Sequence, residues 1–172
     1  MNEVLQNMMA RRSCRSFEAA QVAPAALDEI LNAGLYAASG MGKQSPVLVA
    51  VQDAETVREL SRLNAAVMDT AGDPFYGAPT VCVVLTDPAV HTCVEDASLV
   101  LGDLMLAAHS LGVASCWIHR AREEFDSPEG KTLLKKWGVD ERYIGVGHCI
   151  LGYAAKDPAE PKPRKADYVI YR

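Results

Sequence analysis

A chain of 172 residues and 18.6 kDa has room for one domain of ordinary size, roughly 100 to 200 residues, so a single domain over residues 1–172 is expected. Its 49% hydrophobic and 23% charged residues are a globular composition, not a disordered one. A net charge of −5 and a pI near 5.3 speak against a nucleic-acid partner, which needs a basic surface to displace counterions from phosphate. No apolar run approaches the roughly 20 residues a bilayer requires, and Met1-Asn2-Glu3 opens neither a basic nor an apolar signal segment. No membrane partner is expected, and the sequence reads as cytoplasmic.

Asn2 caps a short helix in which Val4, Leu5, Met8 and Met9 recur at helical spacing and which runs into Arg11-Arg12-Ser13-Cys14-Arg15. Pro24 opens a second helix with Leu27, Ile30, Leu31 and Leu35 on one face, interrupted at Gly34 and ending before Ser39. Val47 to Gln52 reads as a strand, Glu55 to Leu63 as a helix, and Thr80 to Thr86 as a strand buried on both faces. Glu95 to Leu111 is apolar nearly all round, which predicts a helix enclosed by other elements, and Gly112 stops it. A strand over Val113 to His119 follows, then a helix capped by Ser127 with Pro128 first, then a core strand over Tyr143 to Tyr153. Ala154 to Asp167 is a polar connector, and Tyr168-Val169-Ile170-Tyr171 a short strand in need of a partner. The order lacks the regular βαβ cadence of a doubly wound sheet and favours α+β.

Five cysteines, an odd number without a C-x-x-C pair, read as buried free thiols, and four histidines without an H-E-x-x-H pair predict no metal site. Arg11, Arg12 and Arg15 are three guanidiniums within five positions, with Ser13 between them. Arginine forks match phosphate oxygens, so the cluster reads as a seat for a phosphorylated ligand. The alternative is a solvated helix C-terminus, where positive charge is stabilising in any case. Lys162-Pro163-Arg164-Lys165 adds to an anion site only if the fold brings it to Arg11 and Arg15. Ser39-Gly40-Met41-Gly42-Lys43-Gln44 is not a P-loop, since Ala37 and Gln44 stand where that motif needs glycine and Ser or Thr. Gly145, Gly147 and Gly152 lack dinucleotide-fingerprint spacing, and no nucleophile elbow is present. Local chemistry thus supports a phosphorylated ligand and names no reaction.

Arg11-Arg12-Ser13-x-Arg15-x-Phe17 resembles the opening of the nitroreductase family, flavoproteins that hold FMN at a homodimer interface. Further resemblances follow in order: Ala38 to Pro46, Gly77-Ala78-Pro79-Thr80, the helix from Glu95 to Gly112, Ser115-Cys116-Trp117-Ile118, and Lys162-Pro163-Arg164. The resemblance implies a nitroreductase-like α+β sandwich: a central, mostly antiparallel sheet flanked by helices, in an intertwined homodimer. It implies that Arg11, Lys162 and Arg164 meet the FMN phosphate, with Arg12 and Ser13 along the ribityl chain and Arg15 near the pyrimidine edge. Ser39, Gly40 and Met41 would come from the partner subunit, and Gln44 is a further cofactor-binding candidate. Asn64 would approach the ring edge, while Trp117, Ile118, His119 and Arg120 would line its other face. Some relatives carry a lysine near the pyrimidine, and Gly72 to Tyr76 supplies none.

The implied activity is FMN-dependent and NAD(P)H-driven, reducing nitroaromatics, quinones or related small acceptors in a ping-pong cycle. No catalytic acid or base is assigned, although hydroxyls such as that of Tyr76 are candidates for a proton donor. Two alternatives stay open: a non-catalytic protein that stores, delivers or senses FMN, and a non-flavin module using the basic cluster for another phosphorylated ligand.

Overall fold

The computed structural model describes residues 1–172. Its elements are α1 (Glu3–Ala10), α2 (Pro24–Leu35), a 3-10 turn (Gly40–Gly42), β1 (Pro46–Val51), α3 (Ala54–Val67), β2 (Thr80–Thr86), α4 (Cys93–Ser110), β3 (Ala114–Ile118), α5 (Ala121–Asp126), α6 (Pro128–Lys136) and β4 (Ile144–Gly152). Side-chain caps set several helix starts. Asn2 accepts from the Leu5 amide at 3.0 Å, Asp53 from Thr56 at 2.8 Å and Ser127 from Gly130 at 3.0 Å. Each satisfies an amide that the first turn of a helix leaves unpaired.

The sheet runs β1-β2-β4-β3 with every neighbouring pair antiparallel. β2 and β4 are central and buried along their whole length, which is why both read as continuous apolar runs. The register sets Val83 and Ile118 on either side of His148, and Cys82 and Trp117 on either side of Cys149. One sheet face carries α3, α5 and α6 over Leu60, Phe75, Phe125, Leu134 and Ile150, and the other carries α2 and α4 over Ile30, Val84, Leu101, Leu104 and Leu151. Truncating a fully buried leucine such as Leu101 or Leu134 to alanine is expected to cost about 2–5 kcal/mol. All five cysteines are free and buried, and burial pushes the Cys82 thiol up to about 12.

The structure departs from the sequence expectations in four places. Gly34 does not interrupt α2; the helix continues through it, buried against α4. α4 is not enclosed all round, because Val94 and Leu99 are 45% and 51% exposed while Ala97, Leu101 and Leu104 are fully covered. α5 is an additional helix, unforeseen because its sequence is mostly charged. Tyr168 to Tyr171 forms no strand, since its own chain offers it no partner there: residues 156–172 are exposed and no hydrogen bond joins them to the body of the protein. No helix is long and apolar enough to cross a membrane.

Candidate functional site

Beyond α1 the chain lies along the edge strand β3. Ser13 forms a parallel bridge with Ser115, and the Cys14 amide donates to the Ser115 carbonyl at 2.9 Å, which fastens the arginine cluster beside that strand. The three arginines then part. Arg12 folds back, its Nη1 donating to the carbonyls of Met9 at 2.6 Å and Arg11 at 2.8 Å. In this single chain it thereby serves the carbonyl end of α1, where the resemblance implied a place along the ribityl chain. Arg11 has a buried Nη1 with no hydrogen-bond partner. Leaving a buried charged donor unmade costs about 1–3 kcal/mol or more, and Arg11 Nη1 has the capacity to donate to an acceptor that the chain does not supply. Ser115 Oγ is buried and unpartnered as well. Arg15 is exposed and joins no ion pair.

β3 ends at Ile118, and the chain turns a corner at Arg120, whose φ of 76° is left-handed. The side chains just before the corner turn inward. A Cβ on Gly147 would stand 2.5 Å from Trp117 Nε1, so glycine there lets the indole lie against β4. Ile118 belongs to the core under α3. Trp117 and Ile118 therefore leave mainly backbone for a ligand, and the residues exposed at the corner are His119 and, in part, Arg120.

This corner is held from beneath by side chains that are nearly or fully enclosed. Asn64 Nδ2 donates to the His119 carbonyl at 2.7 Å and also to Glu124 Oε1. The Glu124 carboxylate in turn meets His148 Nε2 at 3.0 and 2.9 Å. Asn64 and His148 are 0% exposed and Glu124 is 1% exposed. Asn64, expected at a flavin edge, has its side chain enclosed in this chain, with Nδ2 engaged by His119 and Glu124 and Oδ1 without a partner. Neither Glu124 nor His148 was singled out as a site residue. The available signal was an imidazole in the middle of the otherwise apolar β4.

The Ser39–Gln44 loop lies against the first turn of α4, where the Gly40 amide donates to Asp96 Oδ1 at 3.0 Å and the Gln44 amide to Ser39 Oγ at 3.2 Å. Met41 is 91% exposed. No hydrogen bond ties this loop to Arg11 or to the His119–Arg120 corner within the chain. Lys162 and Arg164 sit in the exposed C-terminal arm, where the Arg164 guanidinium donates to the Lys162 carbonyl at 3.2 and 2.6 Å. One chain alone therefore does not assemble the anticipated seat of Arg11, Lys162 and Arg164, because its connector has no hydrogen bond to draw it back. A cavity of about 800 Å³ between α3 and the loop before β2 is lined by none of the expected site residues.

With the geometry in place, comparison with known proteins is informative. The family model described as Nitroreductase family matches residues 8–153. A Bacteroides fragilis nitroreductase solved with bound FMN is 32% identical, with a TM-score of 0.92 and 100% of both chains covered. A Desulfitobacterium hafniense nitroreductase, also with bound FMN, is 28% identical with a TM-score of 0.89, covering 100% of this chain and 99% of that one. A curated FMN reductase (NAD(P)H) of Bacillus subtilis is 28% identical over 187 residues, covering 95% of this chain and 70% of its own. An antiparallel sheet between two helical layers, matched end to end by these structures and by the family model over residues 8–153, shows that the chain belongs to the nitroreductase family.

Proposed function

We propose that this chain is an FMN-dependent oxidoreductase that draws electrons from NAD(P)H and reduces a small acceptor, such as a nitroaromatic or a quinone, as a homodimer. The observation that carries the reading is the buried, unpartnered Arg11 Nη1 on a segment bridged to β3. A phosphate monoester would supply the oxygens this guanidinium lacks, and the buried, unpartnered hydroxyl of Ser115, the residue bridged to Ser13, supports a polar neighbourhood along this segment. The residues present therefore fit FMN.

When bound, FMN supplies the redox chemistry, taking a hydride from the reduced nicotinamide and handing reducing equivalents to the second substrate. The chain's residues bind and orient. Arg11 would hold the phosphate end, with Ser13 beside it along the ribityl chain. Arg15, exposed and in no ion pair, would be the cation near the pyrimidine edge of a bound flavin, where preorganised positive charge would favour accepting a hydride. The left-handed turn at Arg120 presents backbone amides, with His119 at the rim. Ser39, Gly40, Met41 and Gln44 are contributed by the second copy, and ordering of the C-terminal arm in the dimer brings Lys162 and Arg164 to the phosphate.

Support for the dimer comes from apolar groups that one chain leaves uncovered. α1 buries no residue, so Val4, Leu5, Met8 and Met9 are all exposed, as are Val94 and Leu99 of α4 and Tyr168 to Tyr171 of the arm. β1 is an edge strand whose outer side is open, and Tyr168 to Tyr171 has the composition of a strand that lacks an edge.

The test is anaerobic addition of NADPH and then NADH to the FMN-loaded protein. Bleaching of the flavin bands within seconds is expected. Bands that persist for minutes overturn the enzyme reading and leave a flavin carrier or sensor, whereas a protein that neither carries nor binds FMN overturns the flavin reading itself.

A further inference from the structure

We propose that Asp96 is the positioning residue of the Ser39–Gln44 loop, and that through this loop it sets flavin affinity in the neighbouring subunit and not in its own. The proposal rests on the shared-site homodimer described under Proposed function.

Asp96 stands in the first turn of α4 and is 3% exposed. Its carboxylate does not cap its own helix. Oδ1 accepts the Gly40 amide at 3.0 Å, while Oδ2 accepts the Thr92 hydroxyl at 3.2 Å and the Ser45 hydroxyl at 3.5 Å. Ser45 Oγ in turn accepts from the Thr86 hydroxyl at 3.1 Å. One carboxylate thus ties the start of the loop, its end and the last residue of β2 to a single point. An anion is well placed there, since the N-terminal turn of a helix carries partial positive charge. Gly40 reaches this point because it has no Cβ; one would collide with the Thr92 hydroxyl.

Between these anchors the backbone is strained. Met41 at φ 51° and Gln44 at φ 48° occupy the left-handed region, which side chains disfavour and which persists only where surrounding structure enforces it. Nothing in its own chain benefits from the enforcement, as Met41 at the tip is 91% exposed. A loop pinned at both ends, strained between them and bare at its tip is shaped to meet a surface outside its own subunit. Asp96 is the group that fixes that shape, and it touches neither cofactor nor substrate.

FMN affinity is measured by quenching of flavin fluorescence for the wild type, Asp96→Asn and Asp96→Ala, alongside thermal melting and sedimentation. Asp96→Ala should weaken FMN binding roughly tenfold to hundredfold, the range of one charge-assisted hydrogen bond, with Asp96→Asn in between and both variants still dimeric. The decisive sample is a heterodimer, isolated through two different tags, of one Arg11→Ala chain and one Asp96→Ala chain. If the loop acts across the interface, both defects fall on one site and the other site is intact. Such a heterodimer binds one FMN with wild-type affinity, a result that no generally destabilised loop produces.

Two equally weakened sites would place the loop's action in its own subunit and overturn the proposal. Unchanged affinity in Asp96→Ala would reduce Asp96 to a structural residue and overturn it as well. A wild type that is monomeric, or that binds no FMN, fails at the earlier step and removes the shared-site reading along with this one. Should Asp96→Ala not fold, Asp96→Asn takes its place in the heterodimer, read by the same stoichiometry.

Discussion

The Asn64 amide donates to the His119 carbonyl at 2.7 Å, joining the last turns of α3 to the corner where β3 ends. Because the same amide also donates to Glu124, which pairs with His148 on the central strand β4, the corner is connected to the middle of the sheet through an enclosed polar chain. Such a connection fixes backbone position more firmly than a surface loop can, since every group in it loses a partner if the corner moves.

Replacing Asn64 by alanine removes the donor from a part-buried carbonyl and a buried carboxylate. Destabilisation of about 2–4 kcal/mol is expected in urea unfolding, because the groups left unmade are worth about 1–3 kcal/mol each and the charged one the most. Asn64→Asp should be worse than Asn64→Ala, as it sets a second carboxylate against Glu124 in a site without solvent. The reverse order, or two neutral variants, would show that the chain of contacts does not hold the corner.

Arg11 and Arg12 are adjacent, and opposite results are expected from them. Arg11→Ala should weaken FMN binding by about 1.5–3 kcal/mol while leaving the flavin-free protein at least as stable as before, since the guanidinium Nη1 has no partner to lose and its unmade donor is removed. Arg11→Lys should recover only part of that affinity, because an ammonium lacks the planar fork. Arg12→Ala should lower the melting temperature through the carbonyl end of α1 and leave flavin affinity nearly unchanged. Paired melts and FMN titrations of the two alanine variants decide it.

How legible all this was in the sequence varied with how local the cause is. β2 was readable to the residue, because Thr80 to Thr86 is an unbroken apolar and β-branched run set off by Pro79 and Pro88. The starts of α1, α2 and α6 were readable from Asn2, Pro24, Ser127 and Pro128 for the same reason. The fates of Arg11 and Arg12 were not, since both are arginines at a helix end and only the bridge between Ser13 and Ser115 decides which faces the carbonyls. Glu124 escaped notice because its neighbour Glu123 is exposed, and its inward turn depends on His148, 24 residues away. Tyr168 to Tyr171 has a strand's composition, but pairing needs an edge, and composition says nothing of where that edge lies.

A pH-dependent contribution to stability is expected from Asp53, the cap of α3. Its carboxyl is held below the ordinary value of 3.8, first by the Thr56 hydroxyl donating at 2.7 Å and then by the Thr56 amide at 2.8 Å. A carboxylate whose folded value is depressed stabilises the fold above its unfolded value, and that stabilisation is lost as pH falls through the folded one. Asp53→Ala should therefore melt below the wild type near neutral pH, with the gap closing as pH falls below the ordinary 3.8 and through the lowered folded value, where the cap is protonated. Melting curves across that range check it, and a gap that persisted at the acid end would assign the effect to helix propensity instead of to charge.

The C-terminal arm provides the most direct check on assembly. Tyr168, Val169, Ile170 and Tyr171 are 72%, 62%, 67% and 89% exposed, and their hydrogen bonds reach only other residues of the arm, not the body of the protein. If they add to an edge of the second copy, removing residues 167–172 takes away main-chain hydrogen bonds and four apolar side chains from each half of the interface. The truncated protein should then dissociate at concentrations where the full chain is dimeric, and lose FMN in parallel, because Ser39 to Met41 leave with the partner. Within each subunit the two cores lie entirely upstream of residue 154, so the truncated monomer should still unfold cooperatively. Sedimentation and flavin content measured on the same sample distinguish the outcomes. A truncated chain that stays dimeric and keeps stoichiometric FMN would show that α1 and the open face of α4 suffice for the interface, and that the arm does not exchange.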